Sequence, residues 1–314
     1  MPHASAEIIA LTADDVRRLV PVGELIEDLR RVLAPESLKE FEVPPRHIFS
    51  QTAGMVMPCH DNASGVTVTK CLSQNPDRQP AITGTAVWNS PSTPDVLVAD
   101  AIAVTTLRTG AVVGLATDLL APAGPADVVL FGAGAQSPDQ IRSVAAVREI
   151  ARLTIVARRL EAADALADLL RAELPGTEVR TTNDGAPALR EATVVCCATR
   201  STVPLFSLAD LAPGHVHVNA IGAYLPTMHE LPEDLLAAAE VIAVDDVAGC
   251  LHESGELIDA IASGAITADR IVPVGSVTRQ DAPRSGPTVF KSVGTAILDW
   301  VVMDRVAKAR ALAP

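Results

Sequence analysis

Rings are scarce in this chain. Only 3% of its 314 residues are aromatic: five phenylalanines, two tryptophans and a single tyrosine, Tyr224. A core cannot be built on stacked rings at that density, so Ala, Val, Leu and Ile must supply most of the 48% apolar content, which favours a sheet packed tightly under helices. Basic charge is also short. Lys and Arg number 25 against 38 Asp and Glu, the net charge is -13, and no Lys/Arg-rich run occurs, a balance that repels a phosphate backbone and excludes nucleic acid as a partner. The five cysteines, Cys59, Cys71, Cys196, Cys197 and Cys250, are odd in number and lack CxxC spacing. That argues against a disulfide framework and a structural zinc site, and leaves them as small buried hydrophobes. Apolar segments are interrupted by charge or proline short of the ~18–20 residues a membrane span needs. The N-terminal MPHASAEIIALTADD has no basic region followed by an apolar run. The expectation is a cytoplasmic protein with no membrane partner.

A chain of this length suits two domains of ~100–200 residues each. Thr12 is an N-cap candidate for TADDVRRLV, and PVGELIEDLRRVL carries helical apolar spacing, so two short helices open the chain. GMVMPC, GVTVTKCLS, AITGTAVWNS and DVLVAD are short β-branched runs punctuated by Gly, Pro, Asn and Ser, which predict strands of a mixed or antiparallel sheet. AIAVTTLRTGAVVGLATDLLA predicts a helix carrying Arg108. From Asp127 short apolar strands alternate with helices, the pattern of a doubly wound parallel sheet. TVFKSVGTAILDWVVMDRVAKARALA predicts one more helix, returning to the N-terminal domain. The expected fold is α/β: a Rossmann-type domain over 116–287, and an α+β substrate-binding and dimerisation domain over 1–115 with 288–314.

DVVLFGAGAQSPDQIRSV places Gly132, Gly134 and Ser137 directly after a buried strand and at a helix start. The first glycine permits the tight turn, the second admits a pyrophosphate, and the third position needs only a small residue. The helix N-terminus then favours the phosphates. Where an NAD site would present an acid to the ribose, 26 positions past Gly132, stand Arg158 and then Arg159. Arginine there can pair with a 2′-phosphate, so NADP is favoured over NAD. Arg46, Lys70 and Arg108 lie in apolar or small-residue settings, where each cation needs an anion, either an internal acid or a ligand carboxylate.

The order PPRHIF, Lys70, Thr83 in AITGTA, LRTGA, GAGAQS, VNAIGA followed by P and EL, and TVFKSVG resembles the ornithine cyclodeaminase and mu-crystallin family along nearly the whole chain. The resemblance implies a homodimer. It implies a substrate carboxylate held by Arg46, Lys70 and Arg108 with Thr83 in the same pocket, and a nucleotide held by Gly132, Gly134, Ala135, Gln136 and Ser137, with Thr199, Gly222 and Lys291 also on the cofactor. It also sets Tyr224 where cyclodeaminases carry an aspartate, and Met55 where they carry a glutamate for the distal amine. A phenol with a reference pKa of ~10 donates a proton or hydrogen bond rather than accepting one. The expected activity is therefore NAD(P)-dependent hydride transfer to or from C2 of a small imino, keto or amino acid, with Tyr224 and Lys70 as catalytic candidates and Met55 lining the substrate pocket.

Two other readings stay open. One is an NAD-recycling cyclodeaminase using Asp100, Glu253 or Glu256; the other is a nucleotide-dependent binding protein with Tyr224 and Met55 in an apolar pocket. His215 and His217 share a strand face without a third ligand at metal spacing, so no metal is expected. His60 and His229 lie near pocket loops.

Overall fold

The computed structural model describes residues 6–49, 54–75, 77–78, 80–279 and 284–313, and the chain divides into two units, 1–111 with 295–314 and 112–294. In the first unit β1 (Ile8–Leu11) leads into α1 (Ala13–Leu19), where Thr12 and Asp15 cap each other's backbone N–H groups. α2 (Val22–Val32) buries Leu25, Ile26 and Leu29 on one stripe, and α3 (Pro35–Leu38) is a single turn. The strands follow: β2 (Phe41–Glu42), β3 (His47–Phe49), β4 (Gly54–Asp61), β5 (Thr67–Gln74), β6 (Ile82–Asn89) and β7 (Val96–Asp100). They form a mixed sheet in the order β1-β7-β6-β5-β4-β2, with β3 also against β4; β1 runs parallel to β7 and the other pairs are antiparallel. β1 escaped the sequence reading because IIAL is too short to show a period.

α4 (Ala101–Leu120) carries Arg108, as expected. It also corrects one exclusion. At 20 residues it is long and apolar enough to cross a membrane, yet 83% of its most apolar stretch is buried inside the protein, as in a core helix. Its last carbonyls would be orphaned. Arg148 Nη2 donates to Asp118 O (3.1 Å), Arg284 Nη1 to Leu119 O (3.3 Å), and Thr288 Oγ1 to Leu120 O (3.2 Å), with His215 Nε2 2.8 Å from the same oxygen. Cations at a helix C-terminus also suit its dipole.

The second unit runs β8 (Ala126–Phe131), α5 (Ser137–Val147), β9 (Ile150–Val156), α6 (Leu160–Glu173), β10 (Glu178–Thr182), α7 (Ala186–Leu189), β11 (Val194–Cys197), β12 (His217–Ala220), α8 (Glu233–Ala238), β13 (Val241–Val244), α9 (Val247–Glu253), α10 (Gly255–Ala262), β14 (Ile271–Pro273) and β15 (Thr288–Lys291). All of its strand pairs are parallel, in the order β10-β9-β8-β11-β12-β15-β13-β14. The direction of winding switches between β8 and β11, the place where a doubly wound sheet binds its ligand. Val129, Val195, Val218, Ile242 and Val289 knit the core.

β15 is a correction. TVFK was expected as the start of the last helix; it is instead a fully buried strand between β12 and β13. The helix, α11 (Ala296–Ala309), begins only after Gly294 at φ 84° and Thr295, and it packs in the first unit on β4, β5 and β6. A four-residue apolar run has no period that separates strand from buried helix.

Candidate active site

In the first unit, Lys70 stands on β5 opposite Met57 of β4 and Ala86 of β6, and it is fully buried. Its anion is internal: Nζ lies 2.8 Å from Asp299 Oδ1 of α11 and 3.2 Å from Thr105 Oγ1 of α4. Burial pushes Lys70 down to about 8, against the pull of Asp299 and with the push of Arg108 and Arg46. Arg108 Nε is 3.4 Å from the same carboxylate oxygen. That is near enough for attraction but misaligned for a hydrogen bond, since Arg108 Nε and Asp299 Oδ2 both lack one among the described residues. Met55 is buried and shares the Lys70 face, one alternate position along β4. Half-buried Arg46 adds a third positive charge.

Thr83 is not brought to this group. On β6 it pairs with Ser73 of β5, three residues from Ala86 and so ~10 Å along the strand. Its hydroxyl accepts from Arg78 Nη2 at 2.5 Å.

In the second unit, Gly132 has φ 104°, and a Cβ there would come within 2.6 Å of Ala198 O; only glycine makes this turn between the ends of β8 and β11. Gly134 and Ala135 are exposed, and a Cβ on Gly134 would meet open space, which is the room a pyrophosphate requires. Ser137 does more than fit. Its hydroxyl donates to Gly132 O and accepts from Gly134 N–H, both at 3.1 Å, fixing the loop. Gln136 precedes α5, and its buried Oε1 has no partner among the described residues. Arg158 and Arg159 follow β9, exposed and without an ion pair among the described residues. Val156 O accepts from Gly132 N–H at 2.9 Å, so these arginines begin beside the glycine turn. The donor set, the open glycine and the two free cations fit a phosphorylated dinucleotide.

The strand-end residues carry a surprise. Buried Glu230 accepts from Thr199 N (2.6 Å), Thr199 Oγ1 (2.8 Å), Gly222 N (2.8 Å) and Ala223 N (3.1 Å), tying the loops after β11 and β12 together. Burial raises its pKa. Gly222 must be glycine here, since a Cβ would sit 2.0 Å from Thr199 O. The amides of Thr199 and Gly222 are therefore spent on Glu230, not left for a nucleotide. Lys291 needs a firmer correction: it is fully buried, 2.8 Å from Glu256 Oε1 and donating to Ala223 O at 2.5 Å, so it presents no ammonium to a cofactor and instead anchors the loop that precedes Tyr224. The Tyr224 ring is half-buried against the core, and its hydroxyl has no partner among the described residues.

The histidines singled out in the sequence have partners within the protein. His217 lies 3.0 Å from Thr288 Oγ1 and 3.1 Å from Asn219 Oδ1, and burial pushes it down to about 3. His60 pairs with Thr67 and His229 with Asp259. Among the described residues no His, Cys, Asp and Glu group could hold a metal.

A model of the ornithine cyclodeaminase/mu-crystallin family matches residues 7–312. The chain belongs to that family. Among its relatives, the Delta(1)-pyrroline-2-carboxylate reductase of Bacillus cereus is 29% identical over 309 residues, covering 94% of each chain. The Delta(1)-pyrroline-2-carboxylate/Delta(1)-piperideine-2-carboxylate reductase of Azospirillum brasilense is 30% identical over 302 residues, again with 94% of each covered. A solved archaeal alanine dehydrogenase dimer with bound NAD superposes with a TM-score of 0.84 at 26% identity, over 97% of this chain and 96% of that one. Proteins similar to this chain along nearly their whole length thus carry different names, two imino-acid reductases and an alanine dehydrogenase.

Proposed function

We propose that this chain is an NAD(P)H-dependent reductase of a small cyclic imino acid of the pyrroline-2-carboxylate kind. The observation that carries the reading is the pair Lys70 and Arg108, two cations on one acid, with Met55 beside them on the same buried face. The surplus positive charge suits a single α-carboxylate. A thioether wall suits an apolar ring and not a distal ammonium. The full-length likeness to two imino-acid reductases supports the same substrate class.

The residues divide the work. Arg108 and Arg46 bind the carboxylate, and Lys70 holds a proton in a dry setting. The glycine turn and α5 N-terminus hold the pyrophosphate, and Arg158 and Arg159 take a 2′-phosphate, which favours NADP. When bound, the dinucleotide supplies the reducing equivalent for C2. Tyr224 donates or orients a proton from the loop that Glu230 and Lys291 fix. A second copy of the chain fits as partner, given the dimeric neighbour, and five free cysteines fit a reducing, cytoplasmic setting.

The cyclodeaminase reading loses its substitute acids. Asp100 Oδ1 accepts from Ala103 N–H at the start of α4, Glu256 pairs with Lys291, and Glu253 has a partner of its own. Mixing the protein with NADPH or NADH and cyclic imino acids should consume absorbance at the nicotinamide band. Ammonia from ornithine plus NAD, with no reduction of imino acids, overturns the proposal. Arg158→Ala should weaken NADPH about 10-fold or more and leave NADH unchanged, the cost of one charge-assisted phosphate contact; equal losses refute the 2′-phosphate role.

A further inference from the structure

Asp299 enters the reading above only as a counter-ion, yet its carboxylate meets both Lys70 and Arg108. It projects from α11, fully buried between apolar neighbours Leu298 and Trp300, onto a sheet face lined by Met57 and Ala86. One of its oxygens serves two cations, Lys70 Nζ at 2.8 Å and Arg108 Nε at 3.4 Å. Thr105 completes the frame: its hydroxyl donates to Ala101 O at 2.7 Å and so receives a Lys70 proton with its lone pair. Arg108 turns only Nε to Asp299, and its two terminal nitrogens donate to no described residue. A planar fork drawn to Asp299 at Nε by charge alone, with its terminal nitrogens uncommitted, is suited to a bidentate carboxylate.

We propose that Asp299 is the positioning residue of the carboxylate site, sharing one oxygen between Lys70 and Arg108 so that both cations stay in place while Arg108's free end meets the ligand. This rests on the reading that the cluster binds a substrate carboxylate. The alternative, that Asp299 merely neutralises a buried lysine, makes a different forecast: its loss lowers the Lys70 titration but leaves the binding of a ligand carboxylate, and so KM, unmoved.

The groups facing Lys70 set the sign. Asp299 from α11 holds its proton on; burial, Arg108 from α4 and Arg46 from the segment before β3 take it off. On the β4 side Cys59 faces Asp299 as a thiol pushed up to about 12. Removing the carboxylate leaves only influences that lower Lys70. An isosteric Asp299→Asn should therefore drop Lys70 from about 8 by about 1 unit or more, within the ordinary range for loss of a close opposite charge. The amine is then about half neutral or more at pH 7. Asp299→Glu returns the charge.

Two measurements separate this proposal from the reading it rests on. The first is an NMR titration of lysine side chains in the ligand-free protein, with the Lys70 signal assigned by its loss in Lys70→Met. The second is the pH profile of kcat/KM for imino-acid reduction. In Asp299→Asn, Lys70 should titrate at least about 1 unit lower, and the alkaline limb of kcat/KM should move down by the same interval, with KM rising more than kcat falls. Asp299→Glu should restore most of both. A titration and limb that stay put in Asp299→Asn overturn the positioning role even if the enzyme reduces imino acids. A lowered Lys70 titration with KM unmoved overturns the positioning role while the substrate reading stands, and a parent protein that reduces no imino acid sinks the substrate reading and with it the ligand that Arg108 is positioned for.

Discussion

Tyr224 is the one phenol in the chain, and its hydroxyl is unclaimed by any described neighbour although the backbone just before it is held from both sides by Glu230 and Lys291. A rigid backbone carrying an uncommitted donor is the arrangement proton donation needs. Tyr224→Phe should lower kcat by about 10²-fold with nucleotide affinity unchanged, the ordinary yield of one positioned general acid. Retention of turnover within about 10-fold in steady-state assays would reduce the ring to a wall. Asp299 in the first unit and Glu230 in the second, each tying its own neighbours together, were harder to see. ILDWVV shows an acid inside an apolar helix, which must be paired, but nothing in the spacing says that its partner lies 229 positions away on β5. Glu230 was visible only as part of the EL motif, because four accepted N–H and O–H groups leave no mark on neighbouring residue types. Lys291 misled for the complementary reason: a lysine in a motif reads as a ligand contact until its burial is known.

Among the elements, α4 shows how much depends on an end. Arg148 covers it with Nε on Pro122 O at 3.2 Å, Nη1 on Asp118 Oδ1 and Val147 O at 3.1 and 2.7 Å, and Nη2 on Asp118 O. Arg148→Ala should destabilise the protein by about 1–3 kcal/mol, since it leaves several partly buried acceptors without their donor at once. Arg148→Lys should recover less than half, having charge but no fork. A urea midpoint within error of the parent for the alanine variant would show that water replaces the guanidinium. Most elements were legible: β4 to β7 by their β-branched runs between turn residues, the alternation from β8 onward, and α4 by its period. β15 and α11 were fused because Thr288–Lys291 is buried on both faces and carries no alternation. The break is set by Gly294 and Thr295, whose backbone angles decide it.

The whole molecule carries its optical probes unevenly: Trp88 and Trp300 both lie in the first unit, while Tyr224 lies in the second. The buried titratable groups are uneven too. His217, in the second unit, is held at about 3 against 6.5 unfolded. Between those values the unfolded state binds one more proton than the native state, so stability falls as pH falls, by about 1.4 kcal/mol per pH unit below ~6. Lys70, in the first unit, is held at about 8 against 10.5; its contribution is present above 10.5, is lost as pH falls through that interval, and is flat from pH 7 to 4. Glu230, raised by burial, acts in the opposite sense to His217, favouring the native state as pH falls towards 4.5. The His217 share is therefore read as a difference between the parent and His217→Gln, which keeps a hydrogen-bonding amide in the strand. Acidification from pH 7 to 4 should lower the urea midpoint seen by far-ultraviolet circular dichroism before that seen by tryptophan fluorescence. In His217→Gln the dichroism midpoint should lose most of that pH slope while the fluorescence midpoint keeps its own. Equal slopes in the two proteins would mean that His217 is not the acid-sensitive group of the parallel sheet.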